Sequence, residues 1–418
     1  MKFFPDGKVK QAVMDLRRRI RLFLTQFPKP FYVIWVGTFI NRLGSFVIPF
    51  LAIYLARYRE LSFESIGLVT SCFGIGSCLA GPLGGQLSDR FGRRAIMLAA
   101  LWLGALSVLS LILCRTVFQT AAVLFCLGLF GDMYRPACSA AIADIVPEKD
   151  RPRAYGLIYW AINLGFSAAT AIAGVIATYS FSVLFILDAL TTLIFAVMIY
   201  KYVPESKPNQ ESSSEGHAQR RQWLGIIQPF KRGLFVAFFV LSLLTAFVFI
   251  QFHVALPLDL QNRGISAKEY GFLISLNGIL IVFLQPFVAE MIQKASPARV
   301  MALAALLTGI GFGMTGFVNS MPLYVLSVAI WTVGEICSAP VTPTVIASLA
   351  PANQRGTYMG AYHLSWGTAS ILTPIFGTLI LGQFGSKVLW GACFVIGSAV
   401  AIGYLLIDAR IRKKPARN

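Results

Sequence analysis

The chain has 418 residues, 56% of them hydrophobic and only 13% charged, with a formal net charge of +18. A water-soluble domain carries about 25% charged residues, so that class is excluded. The charge excess calls for no nucleic acid, because it lies between apolar blocks of about 20 residues, the length of helix that crosses a hydrocarbon core of ~30 Å.

Residues 1–30 are a basic arm that includes LRRRIRLF. Without an apolar core or a cleavage site, it does not read as a signal peptide. Two readings stay open: an amphipathic helix lying on an anionic leaflet, or a disordered basic arm. Twelve apolar blocks follow, at roughly 31–55, 64–87, 95–113, 119–146, 154–177, 181–202, 233–259, 269–292, 299–318, 322–349, 358–382 and 388–408. Membrane-crossing strands would be half as long and would alternate in polarity, so the blocks are helices. The arm, the connections after even-numbered blocks and the C-terminal tail hold 28 of the 36 Lys and Arg residues. Only Arg57, Arg59, Arg115, Arg263, Lys268 and Lys387 lie in the opposite connections. The positive-inside rule then places both termini in the cytoplasm, as expected of a multi-pass protein of a plasma membrane, with a bacterial inner membrane the expected host.

Block 1 carries Asn41 and Arg42, followed by Gly44 and Pro49. A charged side chain at the bilayer centre costs about 2.5–3.5 kcal/mol. Arg42 is therefore either a brace between helices or a contact for substrate.

The loop after block 2 is GQLSDRFGRR, Gly85 to Arg94. Gly85 lets two helix backbones approach, and Gly92 permits a turn with positive φ. Asp89 suits a neighbouring helix N-terminus, and the arginines can reach carboxylates below block 4, such as Asp144 or Glu148. The loop resembles the signature of the major facilitator superfamily, G-x-L-x-D-R-x-G-R-[RK], at Gly85, Leu87, Asp89, Arg90, Gly92, Arg93 and Arg94. That resemblance implies an all-α membrane protein with twelve transmembrane helices in two pseudo-symmetric six-helix bundles. It also implies that the loop is a latch, formed in one orientation and broken in the other, with Asp144 and Arg151 as partners.

Block 4 contains LFGDMYRPA, in which Asp132 and Arg135 are three residues apart and share a helix face. They either face a water-filled cavity or pin block 4 to a neighbour. Block 5, with AYGLIYWAINLGFSAA, resembles the twelve-span drug:proton antiporters. Two of that group's usual features are missing: Leu127 stands where an arginine of block 4 is expected, and block 5 has no Gly-Pro pair.

Residues 204–232 read as a flexible cytoplasmic linker with a basic end. The expected bundles are therefore 31–203 and 233–409, with a basic tail at 410–418. The halves repeat at an offset of 204, pairing Ser62 with Ser266, Gly67 with Gly271, Pro82 with Pro286 and Arg90 with Lys294. With a one-residue gap, Asp132 pairs with Glu335, Arg151 with Arg355 and Gly156 with Gly360. Repeated halves of this kind place a substrate site between them near mid-membrane. The second copy of the loop has Gln293 in place of the acid, so the latch is expected to be asymmetric.

Five ionisable side chains are counted deep in the blocks: Arg42, Asp132, Arg135, His253 and Glu335. They fall on blocks 1, 4, 7 and 10, which in the superfamily line the cavity. Tyr155, Tyr159, Trp160, Asn163, Tyr362, His363 and Trp366 could face it from blocks 5 and 11, though aromatics with polar tips suit a membrane interface equally well. His253 is either a titrating group or a packing residue. Pro49, Pro340 and Pro343 mark hinges or packing bends. Seven cysteines without a C-x-x-C read as small core hydrophobes.

No phosphate-binding glycine loop, metal-ligand cluster or nucleophile elbow is present in the sequence, so neither an enzyme nor a cofactor is expected. The reading is a monomeric transporter in a lipid bilayer that exports amphipathic small molecules in exchange for protons. Glu335 would carry the proton, and Asp132 would set the cavity electrostatics. One rival moves a siderophore, lipid or defined metabolite, in either direction, with Arg42 and Arg135 favouring an anionic group. The other is a sensor or scaffold that carries nothing.

Overall fold

The computed structural model describes residues 26–206, 228–292, 295–351 and 354–412, with side chains to residue 407. Most of the arm and linker, together with Lys294 and the end of the tail, lie outside the described residues, and so do the expectations placed on them.

Twelve helical spans run up and down. Span 1 is two helices, 1a (Lys29–Leu43) and 1b (Val47–Arg57). Spans 2 to 6 are Phe63–Phe91, Arg93–Leu113, Val117–Ile145, Arg151–Ile176 and Phe181–Tyr202. Span 7 is again double, 7a (Gly233–Ile250) and 7b (Ala255–Asn262). Spans 8 to 12 are Ala267–Ile292, Pro297–Thr315, Met321–Leu349, Arg355–Phe384 and Ser386–Arg412. We call the side bearing the 2–3 loop the near face and the opposite side the far face.

Pro340 and Pro343 of span 10, which the sequence leaves as hinges or packing bends, do not interrupt their helix. The breaks fall at Gly44–Phe46 and Gln251–Val254, the same place in each half. Pro49 sits in the first turn of 1b, where a missing N–H leaves no intrahelical bond unmade.

The 204-residue repeat reappears in where helices start and in what clamps their ends. Spans 2, 3 and 4 begin behind Ser62, Gly92 and Thr116. Spans 9 and 10 begin behind Ser296 and Ser320, and Ser266 caps span 8 in a reciprocal pair with Glu269. Arg59 donates to the Cys114 carbonyl at the end of span 3, and Arg263 donates to the Val318 carbonyl after span 9, at 2.9 Å. The second half adds a carboxylate to this clamp. Asp259 accepts from Arg263, Ser386 and Trp390 at 3.2, 2.8 and 2.7 Å, tying 7b to span 12.

Packing shows which face is closed. On the far side a single apolar core draws on both halves, with Phe50 of 1b edge-on to Tyr270 of span 8. On the near side the core separates into two, one for each half. Glycines along the seams agree. A Cβ at Gly67 or Gly74 of span 2 would strike the backbone of span 11, whereas Gly81 and Gly85, further towards the near face, have open space. Gly271 of span 8 rests on Thr170 and Gly174 of span 5, yet Gly156 and Gly360 touch nothing. The halves therefore meet at the far face and part towards the near face.

Candidate functional site

Between the halves lies a cavity of about 700 Å³. Its wall includes Asn41, Arg42, Asp132, Arg135, Asn163, Asp188, His253 and Glu335, with Phe130, Phe166, Phe249 and Phe252 among the apolar lining. Volume and lining suit a small organic molecule with an apolar body.

The first-half charges form two contacts, with Asp132 in electrostatic range of Arg42. Arg42, on 1a, donates to the Tyr134 hydroxyl at 2.9 Å, and its guanidinium lies 5.9 Å from the Tyr134 ring centre. Its Nε has no partner. Asp132 pairs with Arg135 at 3.0 Å and accepts the Ser77 hydroxyl of span 2. The Arg135 side chain is 56% exposed and that of Asp132 19%. At that exposure the pair stabilises the fold by less than about 1 kcal/mol, too little to be its reason for existing. Asn41 donates to Thr192 of span 6 at 3.0 Å, which fixes the side of 1a that faces the cavity.

Across the cavity the second half presents Glu335. Its Oε2 accepts from Asn277 of span 8 at 2.8 Å, and Asn277 also donates to Thr332 at 3.1 Å. Among the described residues no Lys or Arg lies within ion-pair distance of Glu335. His253, on the break of span 7, packs against Phe252 and Phe166, and its Nδ1 has no partner.

Not every expected residue lines the cavity. Tyr159, Tyr362, His363 and Trp366 stand outside its wall. The Tyr362 hydroxyl accepts from the Trp366 indole at 2.7 Å, and the two rings pack on Phe238 and Phe249 of span 7. Their polar tips are satisfied inside the second half. Asn163 does reach the cavity, donating back to the Tyr159 carbonyl at 2.9 Å.

The count of buried charges also needs correction, because Asp188 of span 6 belongs to the cavity wall. Its Oδ2 accepts the backbone N–H groups of Phe46 and Val47, both at 3.1 Å, at the break in span 1. The signal was present as an acid inside LFILDALTTLIF, the same kind of signal that singled out Asp132. With Asp188, the first-half wall holds Arg42 and Arg135 against Asp132 and Asp188. That wall holds two basic and two acidic side chains, and among the described residues Glu335 is the cavity acid with no basic side chain within ion-pair distance.

The signature loop is joined to its own half. Arg93 binds Asp89, reaches Asp144 at 3.5 Å and donates to Ser88 at 3.1 Å. Glu205, just after span 6, accepts the N–H groups of Arg94 and Ala95 at 3.0 and 2.9 Å, satisfying the start of span 3. Gly92, with φ of +106°, lies so close to Glu205 that a Cβ would collide with its carboxylate. The Arg94 guanidinium donates to the Tyr200 carbonyl. Arg90 lies over Phe91. Arg151 caps span 4 through the Ala143 and Val146 carbonyls at 2.7 and 3.3 Å. Gly85 does not make the expected close approach. Gly84 does, against Met133 of span 4, while Gly85 faces open space.

Two matching six-helix halves around a mid-membrane cavity, closed on one side, define a membrane transporter rather than an enzyme. The chain belongs to the Major Facilitator Superfamily, whose family model matches residues 34–260 and 252–418. It is 27% identical to the uncharacterized MFS-type transporter YttB of Bacillus subtilis (strain 168), over 94% of this chain and 98% of that one. It is 26% identical to a Na(+), Li(+), K(+)/H(+) antiporter of Planococcus maritimus, over 81% and 86%. It is 24% identical to multidrug resistance protein 2 of Bacillus subtilis (strain 168), over 84% and 88%. A crystal structure of a mutant of the peptide transporter POT in complex with sulfate superposes with a TM-score of 0.78, covering 92% of this chain and 95% of that one at 19% identity. At that identity the superposition speaks for the fold alone.

Proposed function

We propose that this chain is a proton-coupled exporter of amphipathic small molecules that works by alternating access. The observation that carries the reading is Glu335, a carboxyl in the cavity with one amide donor and no cationic partner. Such a group can take a proton when the cavity faces one side and release it to the other. The antiporter and multidrug resistance names among the relatives support exchange and an amphipathic cargo. The near face, which carries most of the Lys and Arg residues, is cytoplasmic. The cavity is then open to the cytoplasm, ready to load an export substrate. The chain acts as a monomer in a bacterial inner membrane, with bundles 31–203 and 233–409 rocking about the linker 204–232.

The test is substrate-driven proton movement. In proteoliposomes with a pH indicator in the lumen, adding a permanently charged amphipathic cation outside should raise lumenal pH as protons leave. An anionic chelate should not. A response to the chelate alone would favour the siderophore or metabolite rival, and silence with both would favour a sensor or scaffold.

Asp132 and the loop have separable roles in this reading. Asp132→Asn leaves Arg135 unpaired in the cavity, so affinity for a cationic substrate should fall while expression stays near normal; a binding titration reads this directly. Asp89→Asn acts elsewhere. In the near-open state Asp89 binds Arg93 of its own half and, among the described residues, no residue of the other half, so this state should persist while the near-closed state loses its latch. Label distances between the near ends of spans 2 and 11 should shift to the longer population, and flux should drop. Unchanged distances and unchanged flux would remove the latch role.

A further inference from the structure

The two breaks in spans 1 and 7 are alike in position but not in how they are held. At the span 1 break, one carboxylate oxygen of Asp188 receives two adjacent backbone N–H groups, from Phe46 and Val47. These belong to the start of 1b, whose first-turn N–H groups have no partner within the helix, and the Phe46 N–H is shared with the Gly44 carbonyl at 2.7 Å. At the span 7 break the acceptors are backbone carbonyls of the same turn, with His253 donating to Ile250 at 3.0 Å and Leu256 to Gln251 at 2.9 Å, and no side-chain carboxylate takes part among the described residues. Gln251, fully buried, has neither its Oε1 nor its Nε2 bonded, and span 12 has no acid between Ser386 and Ile407.

What lies on either side of the first joint gives Asp188 its significance. On the near side, 1a carries Asn41 and Arg42 into the cavity. On the far side, 1b packs against 7b and span 8 of the other half and helps to close the far face. Asp188 therefore stands at the junction of the binding cavity and the far-face closure. The charged group it faces from span 1 is Arg42, which also lies in electrostatic range of Asp132 of span 4. Its neighbours Thr191 and Thr192 on span 6 bond to the Asp188 carbonyl and to Asn41 respectively, so the same turn of span 6 holds both sides of the joint.

We propose that Asp188 is a positioning residue of the transport cycle: by accepting the two N–H groups of the broken span 1 it holds 1b in the orientation that closes the far face. It acts through 1b rather than on the substrate. The joint of span 7 is held differently, by backbone bonds of its own turn and by the Asp259 clamp on 7b. This inference rests on the alternating-access reading but not on proton coupling or on the identity of the cargo, because the geometry can be read without either.

The experiment places spin labels at Tyr58, at the end of 1b, and at Asn262, at the end of 7b, in the full-length protein in nanodiscs. Asp188→Ala removes the oxygen that accepts both N–H groups, and the separated population of the label pair should rise several-fold. Asp188→Asn keeps one carbonyl acceptor, so its distances should stay close to wild type. Should the alanine variant not yield folded protein, Asp188→Ser serves instead, being too short to reach both N–H groups. Wild-type distances in the alanine or serine variant would overturn the proposal. A shift in Asp188→Asn as large as in the alanine variant would also overturn it, because the effect would then come from lost charge. Failure of proton-driven flux with the predicted distance pattern intact would instead count against the export reading and leave the role of Asp188 standing.

Discussion

Glu335→Gln should abolish accumulation driven by a pH gradient while leaving substrate binding measurable. The amide keeps an oxygen that can accept from Asn277, which donates to the carboxylate at 2.8 Å, so the local structure is retained. What is lost is the capacity to exist in two charge states. Coupled flux should fall to the level of protein-free vesicles, while exchange of labelled for unlabelled substrate at equal pH continues. The contrast with Asp132→Asn is the informative part. Asp132 has a permanent cation at 3.0 Å, and its role is to set affinity. If the two variants exchanged phenotypes, the proton would belong to the first half.

Gly271→Leu should shift the resting orientation towards an open far face. A Cβ at Gly271 would meet the Thr170 carbonyl and the Gly174 backbone, and neither can move aside as a flexible side chain would. Overpacking of this kind costs about 1–3 kcal/mol. The collision exists only where spans 5 and 8 touch, so the cost falls on one orientation. A free-energy difference of that size moves a population ratio by about 5–150-fold. Label distances at the far ends of spans 5 and 8 should lengthen, and single-turnover loading from the near face should slow accordingly. Gly360→Leu is the matching control, since its Cβ would meet open space in this orientation. It should leave the far-face distances unchanged.

The sequence made some features plain and concealed others for physical reasons. The twelve spans were legible because the bilayer imposes a length and an apolar content that no loop satisfies. The repeat was legible at pairs such as Ser62 and Ser266, because both are helix-start residues whose chemistry is fixed by local geometry. The breaks in spans 1 and 7 were not legible. Both are formed by ordinary apolar and polar residues, and the span 1 break is held by an acid 142 residues away. Pro340 and Pro343, readable as hinges or as packing bends, sit inside one continuous helix. Asp188 was readable as an acid in an apolar block; its partner, a backbone amide pair on another helix, was not. The aromatic residues of span 11 were misplaced because Tyr362 and Trp366 satisfy each other, a contact between residues four apart on one helix that does not show whether the pair faces a cavity or a neighbour.

The most direct test of the central claim is accumulation of a permanently charged amphipathic cation in proteoliposomes under an imposed pH gradient. A permanent charge removes the passive trapping that weak bases show in acidic compartments. With an acidic lumen the wild-type protein should concentrate the cation above its external level, and a protonophore should abolish the excess. Accumulation only with an alkaline lumen, or an equilibrium level unaffected by the gradient, would contradict proton-coupled export.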